Sequence, residues 1–218
     1  MDAVRKRTGP LHAVLIIGAL VLFNTGLLPL VWPLHLLLPL LAYAIIVLAV
    51  PALRSSAPRL SAGRMNGLPL AAAAALCVAT GGTLIAFHFW ARPDVSGLNI
   101  RLPVSGLASL IVVGLCFSML NALVEELIFR GIVWEGVATE WNATMALVVS
   151  AILFGVAHLH GYPSGPIGAV LAGLFGLALG LLRWWTGGLG LAVICHVVAD
   201  ATILGLILSP GVPGSATG

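Results

Sequence analysis

The chain has 218 residues, 60% of them hydrophobic and 8% charged, with a formal net charge of +3 and a mean hydropathy of +1.13. A soluble domain carries about a quarter charged residues, so this composition excludes an ordinary water-soluble enzyme and points to a polytopic membrane protein. The ten basic residues are dispersed toward the ends of apolar runs, where they carry topology information, and no nucleic-acid partner is expected.

In chain order, Arg5, Lys6 and Arg7 precede an apolar stretch that is too long for a signal peptide and lacks a small-residue cleavage site, so it reads as a retained first span. Spans are expected near 11–32, 34–53, 68–91, 105–133, 143–160, 165–183 and 188–208, each close to the roughly 20 residues that cross a bilayer. Trp32-Pro33 marks a tight turn between the first two. The segment 54–66 holds Arg54, Arg59 and Arg64 and no acid. A second polar break, 92–103, sets Asp94 against Arg92 and Arg101, and 161–166 and 184–188 are further breaks. Counting positive charges puts the N-terminus, 54–66 and Arg183 in the cytoplasm. The tail from Ser209 to Gly218 is expected to fray. The prediction is an all-α transmembrane bundle of about seven spans, one integral membrane domain over 1–218, with a motif-bearing core at about 105–208. Gly168, Gly173, Gly176 and Gly180 read as close helix packing. Cys77, Cys116 and Cys195 fit neither a disulfide framework nor a zinc ribbon.

A few polar residues remain inside the apolar runs. Glu125 and Glu126 stand side by side in a chain with seven acidic residues, at a cost of roughly 3 kcal/mol or more per charge at mid-membrane. Glu126 and Arg130 are one helical turn apart and share a face, so they can pair. Glu125 is rotated about 100° away and stays free of that pair, with Asn121 one turn before it. His196 and Asp200 repeat the spacing on the last span, Phe154 and His158 on the fifth. Sites in bundles are assembled in this way from facing helices. At the rise of an α-helix, Glu125 lies on the order of 12–20 Å from the cytoplasmic end of its helix and His158 near 25 Å from the end of its own. Bringing the two level requires a tilted helix or a lateral segment over 134–142. His12, His35, His88 and His160 lie near span ends or lack partners and receive no role, and Glu135 and Glu140 read as solvated.

Peptide hydrolysis needs a base, a positioned water and a donor for the oxyanion. Two neighbouring carboxylates with different partners are one way to separate such roles. The same Glu and His residues are also a zinc-ligand set. No His-Glu-x-x-His helix occurs, and His158 and His160 are only two apart. On these residues alone metal-independent chemistry and zinc both stay open. A proton-coupled transporter is disfavoured by the short chain and the absence of duplicated halves.

Glu125-Glu126-x-x-x-Arg130, Phe154-x-x-x-His158 and His196-x-x-x-Asp200, in that order, resemble the three motifs of the CAAX protease and bacteriocin-processing family. These are intramembrane proteases related to the type II CAAX prenyl endopeptidase. The likeness spans about 121–200. It implies that Glu125 activates a water, that His158 helps to hold it, and that His196 and the residue at 200 stabilise the oxyanion, with Glu126, Arg130 and Asn121 supporting the site. It also tips the expectation to chemistry without a cofactor, with zinc the runner-up. The family often has Asn at the last position, and Asp occurs in bacterial members. An ionised carboxylate cannot donate to an oxyanion. Asp200 is thus either protonated or orients His196 through a ring N–H, and the second is expected. The implied substrate is a membrane-tethered or membrane-inserted peptide or protein: a leader, a C-terminal sorting tail or a lipidated tail. The composition, rich in Ala, Arg, Leu and Gly, suggests a bacterial cell membrane as the location. The alternative is a non-catalytic membrane binding, immunity or scaffold protein of the same fold.

Overall fold

A computed structural model describes residues 3–25, 32–93 and 106–208. Among them the chain forms α1 (Ala3–Asn24), α2 (Leu34–Ala49), α3 (Pro51–Ser56), α4 (Gly67–Ala91), α5 (Leu107–Glu126), α6 (Trp134–Glu140), α7 (Ala143–Ala157), α8 (Gly165–Thr186) and α9 (Gly190–Leu208), with a π-helical stretch at Leu127–Val133 between α5 and α6. There is no strand among the described residues. The polar break beyond Pro93, with Asp94 and Arg101, and the tail from Ser209 lie outside the described residues, as does 26–31 of the expected first span.

Among the described residues, four helices are long and apolar enough to cross a membrane: Gly67–Ala91, the continuous run Ala108–Glu140, Gly165–Thr186 and Gly190–Leu208. Thr8–Asn24, Leu34–Ala49 and Ala143–Ala157 are shorter apolar helices, about 22–26 Å long against a hydrocarbon core of about 30 Å. The chain is thus a polytopic helical membrane bundle. Its outer surface is apolar: Val78 is 77% exposed, Trp90 72% and Leu22 68%. Lipid tails solvate such a surface, so burial alone does not hold these helices together, and close packing must.

That packing is visible where the glycines fall. A Cβ on Gly155 of α7 would come within 2.6 Å of the Ala169 carbonyl on α8, and one on Gly180 within 2.6 Å of Leu147. The glycines of α8 therefore let α7 lie against it, as the small-residue spacing predicts. At one end of the bundle the 57–66 segment runs against the α8–α9 turn. Leu189 N–H donates to the Ser61 carbonyl and Gly190 N–H to that of Ala62, both at 2.9 Å, which satisfies amides at the start of α9. Gly63 and Gly188 approach so closely that a Cβ on either would sit 2.2–2.6 Å from the other's backbone nitrogen.

The same end gathers the basic residues. Thr8 on α1 bonds to Ser56 on α3 at 2.7 Å, Gly136 of α6 abuts Ala13 of α1, and Arg64 donates to the Trp185 carbonyl at 2.7 Å. The chain positions of Arg5, Lys6, Arg7, Arg54, Arg59, Arg64 and Arg183 therefore share one end of the bundle.

The helix bearing Glu125 does not stop at Val133 but continues to Glu140. This removes the depth mismatch between Glu125 and His158. Counted from the α6–α7 turn, each lies about 15 residues in, or about 22 Å at the α-helical rise. No lateral segment is needed.

Candidate active site

The site forms where α5, the π-helical stretch, α7, α8 and α9 meet. Glu126 ends α5 and Arg130 lies in the π-helical stretch, a local widening often found at functional sites. The pair is made at 2.7 Å with both side chains fully buried. The guanidinium lies 4.3 Å over the Phe154 ring, a cation–π contact that covers the face left by Nε and Nη2, which have no hydrogen-bond partner. Gly176 of α8 makes room for it: a Cβ there would sit 2.9 Å from Arg130 Nη2. The Arg130 backbone carbonyl accepts from Arg183 Nε. Arg183 also pairs with Glu135 at 2.7 Å, so Glu135 is tied down and not simply solvated, while Glu140 is exposed as expected.

Glu126 does more than neutralise Arg130. Its Oε1 also accepts from His196 Nδ1 at 2.8 Å. The ring N–H bond expected for Asp200 is therefore made by Glu126, seventy residues away in the chain. This turns the other ring nitrogen, Nε2, toward Glu125 Oε2 at 3.6 Å and Asp200 Oδ1 at 3.7 Å. Both separations exceed a direct hydrogen bond. Asn121 ties the two carboxyl groups together, its Nδ2 donating to Glu125 Oε1 at 3.2 Å and to Asp200 Oδ2 at 3.1 Å. Glu125 Oε2 is buried without a hydrogen-bond partner.

His158 caps the C-terminus of α7. Its Nδ1 lies 2.9 Å from the Phe154 carbonyl. A carbonyl only accepts, so Nδ1 carries the proton, and in the neutral ring Nε2 is left as an acceptor. Its ring stacks at 4.4 Å on Phe154, which meets His196 edge-on at 5.6 Å. Phe154 thus separates the two histidines and also roofs Arg130.

A cavity of about 250 Å³ opens beside this cluster between α4, α7, α8 and α9, with His158, His196 and Asp200 in its wall. Leu76, Thr83 and Phe175 represent the largely apolar remainder. Glu125 is not in that wall, and meets His196 from the α5 side. The structure thus draws two bonded groups, Arg130–Glu126–His196 and Glu125–Asn121–Asp200, face to face across His196 Nε2, with His158 reaching them through Phe154. No group of three or more His, Cys, Asp and Glu side chains among the described residues converges as a metal site.

Sequence reasoning missed two residues that reach the site, Trp32 and His88, and the partners of a third, His12, which lies away from it. Trp32 donates from its indole to Asn121 Oδ1 at 3.0 Å. His88 is fully buried and meets the Tyr162 hydroxyl at 2.8 Å, and Tyr162 lines the cavity. His12 is also buried and bonded, to Tyr43 at 2.7 Å and Ser56 at 3.0 Å. A lone His or Trp near a span end carries no spacing signal that would announce such partners.

Residues 107–202 match the family model of the type II CAAX prenyl endopeptidase Rce1-like proteins. No curated protein and no solved structure matches the chain. The matched stretch covers α5 to the greater part of α9, and it holds the three motifs together with Asn121 and Gly176. The likeness to the type II CAAX prenyl endopeptidase Rce1-like proteins thus rests on residues 107–202, somewhat less than half of the chain.

Proposed function

We propose that the protein is an intramembrane endopeptidase that cleaves a membrane-tethered or membrane-inserted peptide by glutamate-activated water, without a metal. The observation that carries this reading is the arrangement at His196. Glu126 fixes its Nδ1, Nε2 faces Glu125 Oε2 at 3.6 Å, and that oxygen has no hydrogen-bond partner. A buried oxygen with no donor is costly, and it is what a general base requires. The metal-independent form rests on the sequence, which has no His-Glu-x-x-His helix to place two ligands one turn apart, and on the resemblance of its motifs.

Glu125 Oε2 takes a proton from water as the water oxygen bonds to the scissile carbonyl carbon. His158 Nε2 accepts the water's second hydrogen and so holds it in line. The carbonyl electrons move to oxygen, and His196, doubly protonated and held at Nδ1 by Glu126, donates from Nε2 to the oxyanion. Glu125 returns its proton to the leaving nitrogen as the C–N bond breaks. Asp200 acts through His196 and Asn121, because as a carboxylate it has nothing to donate. The apolar cavity wall suits an apolar substrate segment, such as a leader, a sorting tail or a lipidated tail. The clustering of basic residues at one end supports a cytoplasmic N-terminus, and the Ala-, Arg-, Leu- and Gly-rich composition is the ground for a bacterial cell membrane.

Glu125→Gln tests the base. In purified protein on a membrane-peptide reporter it should lower kcat by about a thousandfold, with expression and insertion unchanged. Near-normal turnover would remove Glu125 from the role. Chelators should leave the rate unchanged. Stoichiometric zinc that leaves with activity on chelation, and restores it on return, would make Glu125, His158 and His196 ligands instead.

A further inference from the structure

The amide of Asn121 has one acceptor and two donors, and all three are used. Nδ2 gives one hydrogen to Glu125 Oε1 and one to Asp200 Oδ2, while Oδ1 takes the indole N–H of Trp32. An amide oxygen and nitrogen look alike to packing, and only their partners decide which way the group faces. Two carboxylates on one side favour the NH₂ there. A donor-only group on the other side fixes the oxygen. An indole N–H is such a donor, since it cannot accept under any protonation state. Trp32 is held for this task by stacking on Phe117 of α5, with ring centroids 4.2 Å apart. It belongs to the connection between α1 and α2, outside the stretch that matches the family model.

We infer that Trp32 is a positioning residue of the active site: its indole N–H locks the Asn121 amide so that its two hydrogens hold Glu125 and Asp200 at their working separation on either side of His196 Nε2. If the lock is lost, the amide is free to rotate and turn its oxygen toward two acceptors 3.1–3.2 Å away, which pushes both carboxyl groups from their places. The base and the residue beside the oxyanion donor then move together. The first two helices, which carry none of the three motifs, thereby contribute a part to the site.

The inference rests on the hydrolytic reading, and its test has one arm that does not. Trp32→Phe keeps the stacked ring and removes only the N–H. In purified protein it should lower kcat about tenfold with KM within about twofold, the loss expected when one hydrogen bond is withdrawn from a reacting geometry. Asn121→Ala should lose at least as much, and adding Trp32→Phe to it should cost less than about a further twofold, because the two act as one unit. Should Asn121→Ala fold poorly, Asn121→Leu takes its place. Additive losses, or a Trp32→Phe protein with normal kcat, would overturn the inference. Independently, the ¹⁵N–¹H indole resonance of Trp32, assigned by its disappearance in Trp32→Phe, should move in Asn121→Ala. A resonance that stays in place overturns the inference whether or not any peptide is cleaved. A wild-type protein inert toward peptides but with a displaced resonance counts against the proposed function and supports the contact.

Discussion

His12, between α1, α2 and α3, and His196, on α9, are both nearly inaccessible, at 1% and 3% exposure, yet their surroundings differ in kind. Ser56 directs its hydroxyl proton to the backbone carbonyls of Ala52 and Leu53, so its oxygen accepts from Thr8 and from His12 Nε2. His12 Nδ1 is then the acceptor for the Tyr43 hydroxyl. Each donor in these bonds meets an acceptor, and no carboxylate appears among them. At His196, three carboxyl groups face one guanidinium and one imidazole, two of the approaches are longer than a hydrogen bond, and buried atoms of Glu125, Glu126 and Arg130 lack partners. A satisfied network specifies a structure, and an unsatisfied one holds free energy for a reaction. Burial of a histidine does not by itself distinguish the two, whereas the assignment of each proton does.

The sharpest way to break this contrast is to remove the charge pair behind His196. Glu126→Gln or Arg130→Ala leaves an uncompensated buried charge and should cost about 3–5 kcal/mol of stability, read as lost folded protein on thermal or denaturant challenge. Activity per folded molecule should also fall by at least about a hundredfold, because His196 Nδ1 loses its oriented acceptor. Replacing both together, by Glu126→Leu and Arg130→Met, should return much of the stability, since apolar residues of similar size often replace a buried pair without loss. Turnover should not return with it. Activity in a stable double variant would reduce the pair to scaffolding.

The helical class and the positions of the apolar helices were legible in composition and run length, because crossing a bilayer demands both. The pairing of Glu126 with Arg130 followed from one-turn spacing. The bond from Glu126 to His196 did not. It joins α5 to α9 across seventy residues, and helical periodicity speaks only of faces within one helix. For the same reason the orienting group was sought on the helix of His196 itself, at Asp200. The extension of the helix through α6 was missed because Glu135 and Glu140 read as a polar connection. Glu135 is in fact neutralised by Arg183, and α6 packs against α1 and α7. Trp32 reaches Asn121 across 89 residues, beyond any local pattern.

Asp200 tests the Nε2 side with a smaller expected effect. Asp200→Asn keeps an oxygen for the Asn121 donor and offers an NH₂ toward the oxyanion, so it should hold kcat within about tenfold of the parent. Asp200→Leu removes the partner of Asn121 and the polar neighbour of Nε2, and should lose about a hundredfold or more. His196→Ala should be at least as damaging as Asp200→Leu. Initial rates on one reporter in matched amounts of folded protein decide the order. An Asp200→Asn protein as inactive as Glu125→Gln would give Asp200 a charged or proton-carrying role.

The smallest catalytic effect is expected at the other histidine. His12→Leu is close in volume but strands the Tyr43 hydroxyl and strips Ser56 of one of its two side-chain donors. A buried polar group left without its partner costs about 1–3 kcal/mol, so the midpoint of thermal unfolding should drop. The route from His12 to the site runs through packing: α1 lies against α6 and directly against the π-helical stretch that holds Arg130. Neither contact supplies or withdraws a proton. kcat measured on the folded fraction should therefore stay within about twofold of the parent, while yield and melting temperature fall. A tenfold loss of kcat at unchanged KM would mean that the α1–α3 cluster sets the geometry of Arg130, and the division between a finished network and a reactive one would have to be abandoned for this bundle.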